Sequence, residues 1–144
     1  EHLIINGNAA FSTNYIVKFS NVDSVSGGIT YKTNLDNNPI AGFPDVTANL
    51  RLTYQQEGSS ASIVAKYVGS FYNDNFKNSS NVNNEYTVLH FESLYSLPKI
   101  GDAEVLIRCE IRNLLNELYM QNGEGNAFFP AAERNYLVGL TVQL

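Results

Sequence analysis

The chain has 144 residues, of which 44% are hydrophobic and 16% are charged, and its formal net charge is −5. This is the composition of a folded chain, and the length suits one ordinary domain. Nucleic acid is excluded as a partner, because an acidic chain without a lysine and arginine cluster lacks the basic footprint that nucleic acid requires.

Six segments alternate between apolar and polar residues, as strands with one apolar face do. In chain order they cover residues 3–19, 46–55, 61–72, 86–97, 103–113 and 134–144. Each alternating stretch has about ten residues or more, the length that a tilted strand needs to cross a bilayer. Strands of soluble sheets usually have about five or six residues.

The connections between these segments alternate in length. Residues 56–60 and 98–102 form short turns, whereas residues 20–45, 73–85 and 114–133 form long loops rich in Asn, Ser and Gly. The sequence therefore predicts an all-β, antiparallel up-and-down meander of six long strands. Its long loops all lie at one end, with the short turns and the C-terminus at the other, as in transmembrane barrels.

Alternation alone does not say whether the apolar face is buried or faces lipid. We expect the charged residues of the strands to share one face: Lys18, Arg51, Lys66, Glu92, Glu104, Arg108, Glu110 and Arg112. Aromatic residues near strand ends on the other face are typical of interfacial girdles: Phe19, Tyr54, Phe71, Tyr95 and Tyr136. These features favour a membrane barrel, and a soluble β-sheet module of the carbohydrate-binding type is the alternative.

Four segments, in this order, resemble motifs of TonB-dependent outer-membrane receptors. They are IAGFPDVTANLRLTY (40–54), AKYVGSFYNDN (65–75), RNLLNELY (112–119) and FPAAERNYLVGL (129–140). The resemblance covers nearly the whole chain. It departs from the family at Leu144, where the family usually ends in Phe, and at Glu133, where the motif usually has Pro.

The family is a 22-stranded barrel filled by an N-terminal plug. The resemblance implies that residues 1–144 are the C-terminal portion of the transmembrane barrel, with the plug domain and the TonB box absent from this piece. We therefore expect no transport by it alone. With no apolar run of about 18 residues and no leader pattern, the sequence predicts neither a transmembrane helix nor a signal peptide, so an exported protein would contain it as a processed or excised piece.

The function that the resemblance implies is TonB-dependent uptake of a bulky, scarce nutrient across the outer membrane of a Gram-negative cell. The nutrient is most often an iron–siderophore complex, and in other members cobalamin, another metal chelate or a glycan. The implied partners are outer-membrane lipid, the rest of the barrel and its plug, the barrel-assembly machinery and the nutrient. TonB would be reached only through the missing N-terminal part.

The candidate ligand-binding residues, all expected to face the lumen, are His90, Arg108 and Arg112. They are alternatively explained as polar lumen residues, the two arginines pairing with charges of the lumen or the plug. The residues that the resemblance assigns to the assembly signal are Tyr136, Gly139, Val142 and Leu144. The two asparagines of NLLN, Asn113 and Asn116, are predicted to shape a turn.

An enzyme is not predicted, because no motif of nucleophilic, metal-dependent, phosphate-binding or dinucleotide-binding catalysis occurs. The chain has two histidines, His2 and His90, and an Asn-rich segment at 73–75 without the EF-hand pattern. These predict no resident metal and no cofactor. The single cysteine, Cys109, can form no intrachain disulfide and is expected to be a small apolar side chain.

Overall fold

The computed structural model describes residues 1–99 and 101–144. In chain order, the strands of this part are β1 His2–Phe11, β2 Ser20–Ser26, β3 Ile29–Asn34, β4 Val46–Gln56, β5 Ser59–Val68, β6 Phe71–Tyr72, β7 Val82–Asn83, β8 Tyr86–Ser96, β9 Glu104–Arg112, β10 Met120–Glu124, β11 Ala127–Pro130 and β12 Asn135–Gln143. A 3₁₀ turn occupies Ser79–Asn81. No helix among the described residues is long and apolar enough to cross a membrane.

The main sheet has six antiparallel strands in the order β1-β4-β5-β8-β9-β12. Each strand pairs with the next long strand of the chain, so the predicted meander is confirmed. β1 and β12 form the two edges and do not pair with each other. The sheet is therefore open, as expected, since the smallest barrels of tilted membrane strands use about eight.

The first and third strands are shorter than predicted. β1 ends at Phe11: the Ser12 N–H still reaches the Asp45 carbonyl (2.9 Å), but the Ser12 hydroxyl donates to the Pro44 carbonyl (3.4 Å) and accepts a hydrogen bond from the Asn14 side-chain amide (3.0 Å). Polar side chains of this kind offer the backbone an alternative to the sheet. β5 ends at Val68, and the Gly69 N–H still reaches the Val46 carbonyl (2.8 Å) before the chain leaves the sheet.

The long connections, predicted only as loops rich in Asn, Ser and Gly, contribute residues to paired strands. β2 pairs with β3, β6 with β7, and β10 with β11. Between β4 and β5 the turn is tighter than predicted: Glu57 and Gly58 have φ of 38° and 78° and complete it alone. The predicted turn at 98–102 includes Ile100, which lies outside the described residues.

The register confirms that charge is confined to one face of the sheet. The charged face contains Arg51, Lys66, Glu92 and the four charged residues of β9. The opposite, uncharged face has no Asp, Glu, Lys, Arg or His in the described strands. Lys18 lies outside the sheet, which corrects its prediction, and Phe19 and Phe71 likewise belong to no strand of the main sheet.

The uncharged face is not a core. Its large apolar side chains are solvent-exposed, with Ile5 at 66%, Val138 at 75% and Leu140 at 67% exposure. The buried apolar cluster instead lies on the charged face, at the long-loop end. It consists of Val68, Phe71, Tyr86 and Val88, with Tyr119 packed against it.

Candidate functional site

Five charged side chains on three strands of the charged face form two neighbouring ion-paired groups, Arg51–Glu92 and Arg108–Glu110–Arg112, which line shared cavities and which we together call the charged belt. The register explains how they meet. Ser62 of β5 lies between the strands of Arg51 and Glu92 and pairs directly with Glu92. Because Ser62 is small, the Arg51 guanidinium reaches across β5 and donates two hydrogen bonds to the Glu92 carboxylate, at 2.9 and 3.2 Å.

Glu110 is the centre of the belt. Its side chain is 7% exposed and forms ion pairs with Arg108 and with Arg112, whose Nη2 lies 3.1 Å from Oε2. The two arginine side chains are about 60% exposed. A guanidinium has five N–H donors, so each arginine keeps donors free for a further acceptor. The belt thus offers cationic groups to the space beside the sheet, with a buried carboxylate that fixes their position.

His90 lies on the same face and is held by the backbone. Its Nδ1 accepts a hydrogen bond from the Asn113 N–H at 3.1 Å. In the neutral ring Nε2 is then the protonated nitrogen and can act only as a donor. A cavity of about 310 Å³ is lined by His90, Glu92, Arg108, Glu110 and Arg112, among others. The structure therefore brings the three predicted ligand-binding residues, His90, Arg108 and Arg112, to one place.

Arg51 and Glu92 belong to the belt but were not predicted as site residues. Both line a second cavity of about 220 Å³, which Arg108 shares. The strand alternation already put them on the face of Arg108. What the sequence did not show was the register, which places the small residue Ser62 where the Arg51 side chain crosses β5 to reach Glu92.

The NLLN segment has the predicted structural role. Asn113 and Asn116 both adopt left-handed conformations, with φ of 54° and 57°. The Asn113 side chain is buried and bonds the backbone of Glu117 in both directions (2.8 Å each) and the carbonyl of Ala132 (3.2 Å). Asn116 accepts a hydrogen bond from the Arg134 N–H at 2.8 Å. The two amides thus hold the turn after β9 against the start of β12.

The second long loop is tied to the first. The Asn75 side-chain oxygen accepts the N–H of Ala41 (2.8 Å), and its carbonyl accepts the side-chain amide of Asn38 (2.9 Å). The Tyr72 carbonyl accepts the N–H of Gly42 at 2.9 Å. Three bonds therefore join two segments whose bonded residues are 30 or more positions apart in the chain.

The second loop is also tied to the third. The Asn73 carbonyl accepts the Gly125 N–H at 2.9 Å, and the Asn73 side chain packs directly on Gly123. At the base of the third loop, the rings of Tyr86 and Tyr119 stack with centroids 4.2 Å apart. The three long loops thus form one connected assembly, with the second loop at its centre, above the charged belt.

The predicted assembly residues do not share one face. Tyr136 and Val142 lie on the uncharged face, where they pair with Ile111 and Val105. Gly139 lies on the charged face opposite Arg108, and Leu144 follows the last residue of β12 and is fully exposed. Their role in assembly stays a prediction.

Comparison with solved structures finds the ferric preacinetobactin receptor BauA from Acinetobacter baumannii, with a TM-score of 0.59 and 17% sequence identity. The match covers 96% of this chain and 26% of that receptor. The chain thus resembles, in fold, a segment that makes up about a quarter of that receptor. No protein-family model matches the chain, and no curated protein matches it.

Gly123→Ala is expected to separate the third loop from the second. An added Cβ would lie 2.2 Å from Nδ2 of Asn73 and 2.7 Å from the Ala127 carbonyl oxygen, so one of them must move. We expect faster hydrogen exchange and proteolysis across residues 114–133. Gly7→Ala is the control, since its Cβ would meet only ordinary contacts at 3.5 Å or more. Equal protection in both variants would contradict the connected assembly.

Proposed function

We propose that this chain is wall and loop structure of an outer-membrane receptor that takes up a bulky nutrient by the TonB-dependent route, with an iron–siderophore complex as the first candidate. The observation that carries the proposal is the division of the sheet into a charged face and an exposed apolar face without charge. The motif resemblance and the likeness to BauA support it.

The exposed apolar face suits lipid better than water. Soluble monomers rarely expose contiguous apolar patches of more than a few hundred Å². Here five of the six strands contribute exposed apolar residues to one surface, such as Leu3, Leu50, Ile63, Tyr95 and Val138, and the apolar residues of β9 on this face are half-buried. A lipid-facing arginine near the middle of a membrane strand costs about 2–4 kcal/mol, which accounts for a face without charge.

The opposite face suits a wet lumen with an anionic ligand. The charged belt has three arginines and two glutamates, and Lys66 adds a further positive charge on the same face. Arg108 and Arg112 keep exposed donors, and the connected loops lie at the end through which a ligand would enter. Ferric chelates with anionic oxygens would meet both guanidinium groups and the His90 Nε2–H.

The membrane assignment is tested by Leu50→Arg, because Leu50 is exposed on the uncharged face in the middle of β4. We expect it to reduce the stability of the intact, membrane-inserted polypeptide by about 2–4 kcal/mol, measured by urea unfolding in vesicles. Asn49→Arg, one residue away on the charged face, should cost less than about 1 kcal/mol. Detergent-free monomers that tolerate Leu50→Arg would instead favour the soluble binding module.

The ligand is tested by uptake in cells that depend on the intact polypeptide. We expect ferric siderophore uptake to fall at least about tenfold in Arg108→Gln/Arg112→Gln, since each lost charged hydrogen bond costs about 1.5–3 kcal/mol. Ferric preacinetobactin is the first ligand to try, and surface amounts of both proteins must match. Lys18→Gln, outside the sheet, is the control. Iron uptake unchanged by deletion of the gene would contradict the siderophore assignment.

A further inference from the structure

A cavity of about 780 Å³ lies at the short-turn end of the sheet, away from the charged belt. Among its lining residues are Tyr54 of β4, Ala61 of β5, and Ser93 and Tyr95 of β8. The register places all four on the uncharged face, because Ala61 pairs with Tyr54 on one side and with Ser93 on the other. The proposed function turns this face toward lipid, and the inference rests on that assignment.

The cavity is a groove with a small-residue floor and aromatic walls. Ala61 and Ser93 occupy adjacent strands, which are about 4.8 Å apart. The half-exposed Tyr54 lies beside Ala61 on β4, and the half-exposed Tyr95 lies two residues beyond Ser93 on β8, at the diagonally opposite corner. A second cavity of about 170 Å³ continues toward the middle of the sheet and is lined by Leu3, Leu52, Tyr54, Ala61, Ile63 and Phe91, with Ser62. The two cavities together form one long groove that is mixed in polarity at the turn and apolar toward the middle of the sheet, where a hydrocarbon chain would lie.

The turn end of the same groove is polar and carries charges of both signs. Glu57 and Lys99 both line it, beside Ser59 and Ser96. Lys99 lies 2.6 Å from the Glu104 carboxylate, and its ammonium has further N–H donors. A phosphate would be attracted to Lys99 and an ammonium to Glu57. A headgroup with net negative charge would meet the Glu57 carboxylate and a single lysine whose charge Glu104, on the charged face, already partly offsets, which disfavours it.

We propose that this groove binds one zwitterionic glycerophospholipid from the membrane leaflet at the short-turn end. An acyl chain lies on Ala61 and Ser93 between the two tyrosines and extends toward Ile63. The headgroup phosphate contacts Lys99, and its ammonium contacts Glu57. The site differs from general lipid contact, because it selects a headgroup and has a shaped floor.

The experiment is native mass spectrometry of the intact polypeptide in detergent, with phosphatidylethanolamine or phosphatidylglycerol added at equal concentration. We expect one retained phosphatidylethanolamine and about tenfold weaker retention of phosphatidylglycerol, the equivalent of one charged hydrogen bond. Ser93→Phe fills the floor and should abolish retention. Thr87→Phe adds the same bulk to the same face of β8 at the other end and should not.

Lys99→Gln is the second variant, for use if Ser93→Phe does not fold. Lys99 is exposed, so its substitution should leave the fold intact. Loss of its charge should weaken phosphatidylethanolamine retention about tenfold. Equal retention of both lipids, or retention unchanged in Ser93→Phe and Lys99→Gln, would overturn the proposal. Failure of the membrane assignment itself gives a different result: detergent-free monomers that tolerate Leu50→Arg.

Discussion

Asn113→Ala is expected to lower the free energy of unfolding of the intact polypeptide by about 3 kcal/mol, one of the largest single effects in this chain. The Asn113 side chain is buried and makes three hydrogen bonds, to both backbone groups of Glu117 and to the Ala132 carbonyl. Each buried partner left unsatisfied costs about 1–3 kcal/mol, reduced where water can reach it. Alanine also disfavours the left-handed φ of 54°.

Asn113→Gly separates the cost of the lost hydrogen bonds from the cost of the left-handed backbone, because glycine tolerates that backbone conformation but lacks the side-chain amide. Asn113→Gly should be more stable than Asn113→Ala but less stable than the wild type. Asn113→Asp should keep only the hydrogen bond from the Glu117 N–H. Asn116→Gly removes one exposed bond to the Arg134 N–H and should cost about 1 kcal/mol. Urea unfolding in detergent micelles measures all four. An Asn113→Ala variant as stable as Asn116→Gly would mean that the turn does not hold β12 to β9.

Arg108→Met/Arg112→Met is expected to cost more than removal of the carboxylate between them. The double variant leaves Glu110, at 7% side-chain exposure, without either ionic partner, and an uncompensated buried charge costs about 3–5 kcal/mol. Glu110→Met instead leaves two arginines that are about 60% exposed and still hydrated. We expect that change to cost no more than about 1 kcal/mol.

The triple variant Arg108→Met/Glu110→Met/Arg112→Met completes the comparison. It removes the charge and its partners together, and it should regain most of the stability lost in the double variant. Urea unfolding at neutral pH measures the three proteins against the wild type. If the triple variant is less stable than the double one, the two arginines do not compensate the buried charge of Glu110.

The amino-acid sequence by itself determined the six main strands, their order and their two faces. Period-two alternation marks residues such as Leu50, Ile63 and Ile107 as one face and Arg51 and Glu92 as the other, whatever lies around them. The short connection between β4 and β5 leaves room only for an antiparallel neighbour, so the meander follows from local chain length.

The tertiary structure decided the ends of the strands and the order within the long loops. Residues 12–19 alternate like a strand, yet Asn14 and Ile16 bond the backbone of Ile40 and Asn38 in the first long loop and do not extend the main sheet. The hairpin β2–β3 closes on Gly27 and Gly28, a pair that favours a tight turn, but a bulge between Val22 and Ser24 breaks the alternation of β2. The contacts of Asn73 and Asn75 have no hydrophobic period that predicts them. They depend on hydrogen bonds between residues that are distant in the chain.

The residues of the candidate site were likewise predicted in part from the sequence and in part only from the tertiary structure. Alternation put His90, Arg108 and Arg112 on one face, but only the register of β4, β5 and β8 brought Arg51 across β5 to Glu92, through the space that Ser62 leaves. The left-handed turn of Asn113 alone turned its N–H toward His90. The face on which a side chain lies depends on one strand alone, so local alternation predicts it. Which side chains meet across strands depends on the register between those strands, and only the folded sheet sets that register.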